Sequence, residues 1–128
     1  ASVDEAFAHF RHKKAFARWD EAVLRDYVGR CTRDDGQGGR TLCFSREVET
    51  AIYNTLPHHL ASLLRRHPLQ CPAAFIGGRQ SQELKQVGLA LTEKVTQGRI
   101  ALMEGSHLFP MENPQATAAA IEAAILGF

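Results

Sequence analysis

The first half of the chain carries apolar residues at helical spacing, separated by polar turns. Ser2, with Glu5 three residues later, has the sequence of a capping box and predicts the start of a first helix. The apolar face of that helix consists of Ala6, Phe7, Phe10 and Ala17. Asp20 and Ser45 are typical N-cap residues and predict a second and a third helix. Residues 33–40, between these two helices, are rich in turn-forming residues and are predicted to be a loop.

The second half of the chain changes to short apolar runs on either side of a helical pattern. Residues 71–78 are apolar and bounded by proline and glycine, which predicts a strand buried on both faces. Residues 81–98 have the helical period and predict one helix, capped by Ser81 and ended by Gly98. Residues 99–105 predict a second strand.

Two prolines mark helix boundaries in the remaining segments. Pro57 is expected to end the third helix, and residues 60–66 are expected to form a short helix after it. Asn113 suits the N-cap and Pro114 the first position of a last helix, which is predicted to run to about Leu126. The inward face of this last helix is predicted to consist of Ile121, Ala124 and Ile125.

The order strand–helix–strand–helix predicts an α/β fold with parallel strands, because two strands joined by a helical crossover are almost always parallel with a right-handed connection. Ligands of open parallel sheets bind at the carboxyl ends of the strands. The loop that follows the second strand carries His107. The sequence therefore predicts that this histidine lies at the carboxyl edge of the sheet, where ligands of such folds bind.

The composition restricts the class of protein and of partner. The 128 residues, 45% hydrophobic and 23% charged, suit a folded domain with a core. The formal net charge of +1 is too small to attract nucleic acid or an anionic membrane strongly. The three widely spaced cysteines predict free thiols in a reducing compartment, so we expect a cytoplasmic protein. The sequence has no apolar run near the ~20 residues that span a bilayer, and we expect no membrane partner.

The stretch "EGSHLFPMENP", between a strand and the final helix, resembles the C-terminal part of an α/β-hydrolase. In that superfamily the histidine of this loop is the general base of a nucleophile–histidine–acid triad, so the resemblance implies this role for His107. It also implies that residues 1–67 are a helical cap, or lid, and that residues 68–128 are the C-terminal part of the hydrolase core. The implied activity is esterase-like hydrolysis of a small or medium apolar substrate, with no cofactor.

The sequence departs from the superfamily at the nucleophile, because it contains no G-x-S-x-G elbow. We therefore expect a fragment whose nucleophile lies outside this chain. Because two parallel strands cannot cover their own edges, we also expect a missing N-terminal half or a homo-oligomer partner. Many members carry an aspartate after the penultimate strand, about where Gln82 stands. An amide cannot be the anionic partner of the histidine. The candidate acid is the adjacent Glu83, whose register is off by one, or an acid after an earlier strand outside this chain, as in some members.

Several other residues are candidates for catalysis or binding. Ser106 adjoins His107, but neighbouring residues rarely project into one reacting geometry. The candidate pocket residues are Phe16, Trp19, Tyr53, Phe109 and Met111. If the cap covers the sheet edge, Trp19 and Phe109 are the first choices, because aromatic walls suit an apolar group. The histidines at positions 9, 12, 58, 59 and 67 and the three cysteines lack the spacing of a metal site, and we expect no metal. Gly77 and Gly78 fit a tight turn better than a phosphate loop.

Three functions remain open from the sequence. The first is a hydrolase piece that supplies the lid and the base. The second is a catalytically inactive module of the same fold, which binds a ligand or a protein. The third is a helical interaction domain, and it requires that the second half contain no parallel strands.

Overall fold

The computed structural model describes residues 1–56 and 58–128, so the helix end predicted at Pro57 lies outside the described residues. The chain divides into two compact units, Ala1–Pro57 and His58–Phe128. The first unit contains α1 (Val3–Arg11), α2 (Glu21–Cys31), β1 (Thr32–Asp34), β2 (Arg40–Leu42) and α3 (Arg46–Asn54). The second contains α4 (Leu60–Arg66), β3 (Phe75–Gly78), α5 (Gln82–Val87), α6 (Ala90–Thr96), β4 (Ile100–Met103), α7 (Phe109–Glu112) and α8 (Pro114–Leu126).

The helix starts of the first unit are those that the cap residues predict. The Glu5 backbone N–H donates to the Ser2 hydroxyl at 3.1 Å, and the Ser2 N–H donates to the Glu5 carboxylate at 2.7 Å. This reciprocal pair satisfies two backbone donors that no helical carbonyl can reach. Asp20 accepts from the first backbone N–H groups of α2, and Ser45 caps α3. All three N-cap predictions are confirmed.

The core of the first unit lies between α1 and α2. Its buried residues are Ala6, Phe7, Leu24 and Val28. The predicted inclusion of Ala17 in the first helix is wrong, because α1 ends at Arg11 and residues 12–19 form turns. These turns bring Phe16 and Trp19 together with Phe10 and Tyr27 in a cluster of edge-to-face rings.

Residues 33–40 are part of a short hairpin rather than only a loop. β1 pairs antiparallel with β2, with Thr32 opposite Leu42 and Asp34 opposite Arg40. The Arg40 guanidinium donates to the Thr32 hydroxyl at 2.8 Å and to the Thr32 carbonyl at 2.9 Å. Each strand has three residues, most of them polar, so neither is long enough to show the alternation by which strands are predicted.

β3 and β4 form the parallel pair that the sequence predicts. Phe75 lies opposite Ile100, and Gly78 lies opposite Met103. The α/β fold class is therefore confirmed. A purely helical interaction domain is contradicted by this sheet.

The crossover between β3 and β4 contains two helices, so the single helix predicted over residues 81–98 is wrong. Gly88 has a φ of +75° and an extended ψ, a conformation that glycine adopts without strain, and it separates α5 from α6. The helical period continues across the break, which explains the prediction. The predicted end of this segment is close to the observed one, since α6 ends at Thr96 and Gly98 follows with a φ of +81°.

The last helix begins at Pro114 and ends at Leu126, as predicted. Asn113 precedes it without the predicted side-chain cap, because its amide donates instead to the Glu104 carbonyl at 3.3 Å. Ile121 and Ile125 are exposed, which contradicts their predicted inward position. This Ala-rich helix has no distinct apolar stripe from which a buried face could be predicted.

A bilayer requires about 20 residues of apolar helix. Within the described part of the chain, no helix is both long and apolar enough for this, and α8 has 13 residues.

Candidate functional site

The loops that follow the two parallel strands are joined at the carboxyl edge of the sheet. The Arg79 backbone N–H donates to the Met103 carbonyl at 2.8 Å, and the Gln80 N–H donates to the Gly105 carbonyl at 2.9 Å. These bonds continue the pairing of β3 with β4 for two residues beyond the strands. They place Ser81 and His107, one from each loop, beside each other.

Two glycines allow the loops to approach closely. A Cβ at Gly78 would meet the Ser106 carbonyl oxygen and lie 2.7 Å from the Gly105 carbonyl oxygen. Gly105 has a φ of +137°, and a Cβ there would lie 2.7 Å from the Cβ of Phe109. Only glycine fits such positions without moving the backbone. The position of the His107 loop therefore depends on both residues.

The imidazole of His107 faces α5. Its Nδ1 lies 3.3 Å from the Ser81 hydroxyl and 3.7 Å from a carboxylate oxygen of Glu83. The Ser81 hydroxyl donates to the same Glu83 oxygen at 3.1 Å and accepts from the Leu84 N–H at 3.1 Å. Ser81 is 2% exposed, whereas 62% of the His107 side chain is exposed. The buried Ser81 hydroxyl thus contacts one nitrogen of an imidazole that is otherwise largely exposed.

The pKa of Glu83 is lowered from the ordinary glutamate value. The largest cause is the hydrogen bond from its own backbone N–H, followed by the Ser81 hydroxyl and the charge of His107. Glu83 is therefore a carboxylate at neutral pH. Its pKa is lower in the folded chain, so its contacts stabilise the fold above the ordinary glutamate range. That contribution is lost as the pH falls through the lowered pKa.

Ser106 bonds within its own loop. Its backbone N–H and its hydroxyl both donate to the Glu112 carboxylate, and its hydroxyl accepts from the Leu108 N–H at 3.1 Å. The hydroxyl proton of Ser106 is therefore directed to Glu112. A nucleophile paired with His107 would need that proton directed to the imidazole instead.

A cavity of about 260 Å³ adjoins His107. Its walls are mainly apolar and come from β3, α5 and α6, including Ile76, Leu84 and Thr92. Phe109, a predicted pocket residue, is 8% exposed and lines it. Met111 does not line it and is 37% exposed.

Two other predicted pocket residues, Phe16 and Trp19, lie in the aromatic cluster of the first unit. There they pack against that unit's buried core. Tyr53, another predicted pocket residue, lies on α3 and is 69% exposed. In the structure these rings are therefore a packing cluster and an exposed side chain of the first unit.

A second cavity of about 310 Å³ lies in the same unit, lined by residues of α4 and by the segments before β3 and β4. It includes Cys71 and Arg99, which precede the strands, so it adjoins the amino ends of the sheet. We take the smaller cavity as the candidate site, because it alone of the two adjoins Ser81, Glu83 and His107.

Among the described residues, no three His, Cys, Asp or Glu side chains lie close enough together to hold a metal ion. Cys31, Cys43 and Cys71 are free thiols. Gly77 and Gly78 are the last residues of β3.

The sequence predicts Ser81 only as a helix cap and predicts Glu83, beside Gln82, as the candidate acid. The structure brings Ser81 to Nδ1 of His107, with Glu83 behind it. The spacing carries only part of the signal, because Ser81, Gln82 and Glu83 all follow the end of β3 closely, as His107 follows the end of β4. Parallel strands in register bring such loop positions to the same edge. The catalytic roles of His107 and Glu83 stay predictions.

Comparison with known proteins finds a likeness in structure only. No protein-family model and no curated protein matches the sequence. The chain is similar in structure to a thioesterase domain from the curacin biosynthetic pathway, with a TM-score of 0.66 and 19% sequence identity over 93% of this chain. The match spans 41% of the length of that chain. This chain therefore shares the α/β fold of the matching part of that domain.

Proposed function

We propose that this chain is the C-terminal part of an α/β-fold hydrolase, with His107 as its general base. Residues 1–67 would supply the lid, and residues 68–128 the last strands of the core. The observation that carries the proposal is the position of His107 at the carboxyl edge of the parallel sheet, with Nδ1 held by Ser81 and an apolar cavity beside the ring. A histidine so placed can remove a proton from a hydroxyl nucleophile or from water.

Histidine suits this role because its two ring nitrogens can act separately. The contacts with Ser81 and Glu83 involve Nδ1, so Nε2 is the nitrogen that would accept the proton. The charge of Glu83 would stabilise the imidazolium formed in that step. Because 59% of the Glu83 side chain is exposed, water screens this charge and its contribution is modest.

The nucleophile would come from outside this chain. The sequence contains no nucleophile elbow, and the chain spans 41% of the thioesterase chain that it resembles in structure. In the described residues, β3 and β4 pair only with each other, so their outer edges have no partner strand. Sheets of two short strands are marginal alone. We propose that a missing N-terminal half carries the nucleophile, and that this half or a second copy of the chain completes the sheet.

The substrate would be an ester, or a related acyl compound, with a small or medium apolar group. The cavity beside His107 has mainly apolar walls and a volume of about 260 Å³, just below the usual range for small-molecule pockets, so it suits a small acyl group. No cofactor is required for such hydrolysis. The cytoplasmic location stays a prediction.

The size of the cavity can be tested by filling it. Thr92 is half-buried and lines the cavity, so Thr92→Phe should occupy the space of an acyl chain. We expect hydrolysis of a hexanoyl ester by the intact protein to fall roughly tenfold more than hydrolysis of the acetyl ester. The readout is kcat/KM for p-nitrophenyl esters of increasing length. Gln86→Phe is the matched control, because Gln86 is exposed on α5 and does not line the cavity.

Equal loss for both esters in the Thr92→Phe variant would show that the cavity does not hold the acyl group. An inability of the intact protein to hydrolyse any of these esters would argue against the hydrolase itself.

An inactive binding module is the second candidate, and one observation favours it. The closest partner of Nδ1 is a serine hydroxyl at 3.3 Å, and the nearest carboxylate oxygen lies at 3.7 Å. An apolar ligand or protein segment would then occupy the cavity without reaction. In that case the esters bind, with an affinity that Thr92→Phe lowers, but no product forms.

A further inference from the structure

We propose that Ser81 is a positioning residue that relays the charge of Glu83 to His107 and places the proton of the neutral imidazole on Nδ1. From the sequence, the only role predicted for Ser81 is that of a helix cap. The inference rests on the proposed function for its purpose, because a base that acts through Nε2 needs this tautomer. The arrangement itself can be measured without any substrate.

The first step is a count of donors and acceptors at the Ser81 hydroxyl. A serine hydroxyl has one proton to donate and two lone pairs that accept. The Leu84 N–H occupies one lone pair at 3.1 Å. The proton can go either to Glu83, whose oxygen lies at 3.1 Å, or to Nδ1 of His107 at 3.3 Å. One choice leaves Nδ1 as a donor, and the other makes it an acceptor.

The charge of Glu83 decides between the two choices. A carboxylate is a stronger acceptor than a neutral ring nitrogen, because charge-assisted hydrogen bonds are about twice as strong as neutral ones. The Ser81 proton is therefore directed to Glu83. The remaining lone pair of Ser81 then accepts from the N–H at Nδ1. The lone pair of the imidazole is left on Nε2, where a general base requires it.

The relay is needed because Glu83 does not reach the ring by itself. An N–H···O hydrogen bond usually spans 2.7–3.2 Å. The distance of 3.7 Å from Nδ1 to Glu83 exceeds this range, whereas 3.3 Å to Ser81 is close to it. Ser81 is also buried and is held by the start of α5, so its oxygen is fixed in place. The buried hydroxyl thus orients the ring, and the exposed carboxylate orients the hydroxyl.

The other charged groups around the loop have different partners. Glu112 accepts from Ser106, and Arg79 forms an ion pair with Glu104 at 3.2 Å. Among the described residues, Glu83 is the carboxylate paired with Nδ1. When Nε2 takes a proton, the ring becomes an imidazolium that still donates from Nδ1 to Ser81. The Ser81 proton stays on its own oxygen, so no proton moves along the relay.

The test is the tautomer of His107 in the intact protein, read from the ring ¹⁵N chemical shifts at a pH where the imidazole is neutral. We expect the proton on Nδ1 in the majority of wild-type molecules. In Glu83→Gln the competing carboxylate is gone, and we expect the majority to carry the proton on Nε2. Glu93→Gln is the matched control, because it removes an exposed carboxylate from α6, and it should keep the wild-type tautomer.

Two Ser81 variants separate the relay from the helix cap. Ser81→Ala removes both, and the majority tautomer should change to Nε2–H. Ser81→Asp restores a cap and puts a carboxylate directly against Nδ1, so the proton should return to Nδ1. The pKa of Glu83 should also rise toward the ordinary glutamate value in Ser81→Ala, because one of the hydrogen bonds that lower it is lost. Carboxyl ¹³C shifts during a pH titration measure this change.

A wild-type ring with its proton on Nε2 would overturn the proposal. So would an Nδ1–H tautomer that survives both Glu83→Gln and Ser81→Ala. Glu83→Gln keeps Ser81 and its cap, so a folding defect in Ser81→Ala leaves a decisive variant. If the tautomers behave as expected but the His107→Ala variant keeps full ester turnover, the relay stands and the proposed role of His107 as the general base fails.

Discussion

Replacing His107 by alanine is expected to lower ester turnover by the intact protein on the order of 10⁴-fold or more, the usual effect of losing a triad base. The physical reason is that the nucleophile hydroxyl keeps its proton when no base lies at the sheet edge. The loss should fall on kcat, because the cavity beside the loop is bounded mainly by β3, α5 and α6 and can still bind the ester. Initial rates with p-nitrophenyl acetate measure the effect.

His67→Ala provides the matched control. His67 follows α4, is exposed, and forms a backbone bond to Leu63 that alanine retains. Its turnover should equal that of the unmodified protein. A His107→Ala variant within tenfold of the unmodified protein would remove His107 from the reaction.

Gly78→Ala is expected to destabilise the second unit by about 3 kcal/mol, toward the upper end of the range for overpacking. The added Cβ would meet the backbone of Ser106 and Gly105, and backbone atoms cannot turn aside as a flexible side chain can. The displaced loop carries His107, so ester turnover should fall by roughly 10²-fold in the molecules that remain folded. Amide exchange of the Arg79 N–H, which bonds to the Met103 carbonyl at the end of β4, measures the local loss of stability.

Amide exchange is preferred to fluorescence here because the single tryptophan, Trp19, belongs to the first unit. Gly29→Ala is the control for a glycine substitution. Gly29 lies in α2, and a Cβ there meets nothing within 4 Å, so alanine should stabilise its helix by roughly 0.5–1 kcal/mol. Unchanged Arg79 exchange in Gly78→Ala would show that the loop backbone has room to move.

Local signals were the best predictors of the fold. Ser2, Asp20, Ser45 and Ser81 were each predicted as N-caps, and each caps its helix through its side-chain oxygen. The reason is physical: an N-cap bond spans two or three residues, so the sequence contains both partners. The predicted cap by Asn113 is absent because its side-chain amide donates to the Glu104 carbonyl, nine residues away in sequence. Such a contact exists only after the loop has folded.

Periodicity predicted the helical crossover but missed its break. The residues on both sides of Gly88 keep the helical period, and a glycine within a helical pattern is tolerated at a cost of about 1 kcal/mol. The choice between a weak helical position and a break depends on the packing of α5 and α6 in three dimensions. The same limit explains why α7, four residues long with Pro110 near its start, was not predicted.

The candidate site was predicted in part. His107 could be placed at the sheet edge from the strand order alone, because parallel strands end at one side. The sequence does not show whether Ser81, Gln82 or Glu83 contacts the imidazole. These residues are adjacent, yet successive side chains at a helix start point about 100° apart, so a shift of one position changes which of them faces the ring. That selection depends on how closely the two loops approach each other at Gly78 and Gly105, which only the folded chain determines.

The position of the nucleophile is the most direct test of the central claim, that His107 is a base acting on a nucleophile outside this chain. The intact protein is mixed with p-nitrophenyl acetate and quenched in acid within the first turnover, and the acetyl group is located by peptide mass spectrometry. We predict one acetylated residue outside residues 1–128, and none under the same conditions in His107→Ala. An acetyl group on Ser106 or Ser81, no acetylated residue at all, or equal labelling of the His107→Ala variant would contradict the claim.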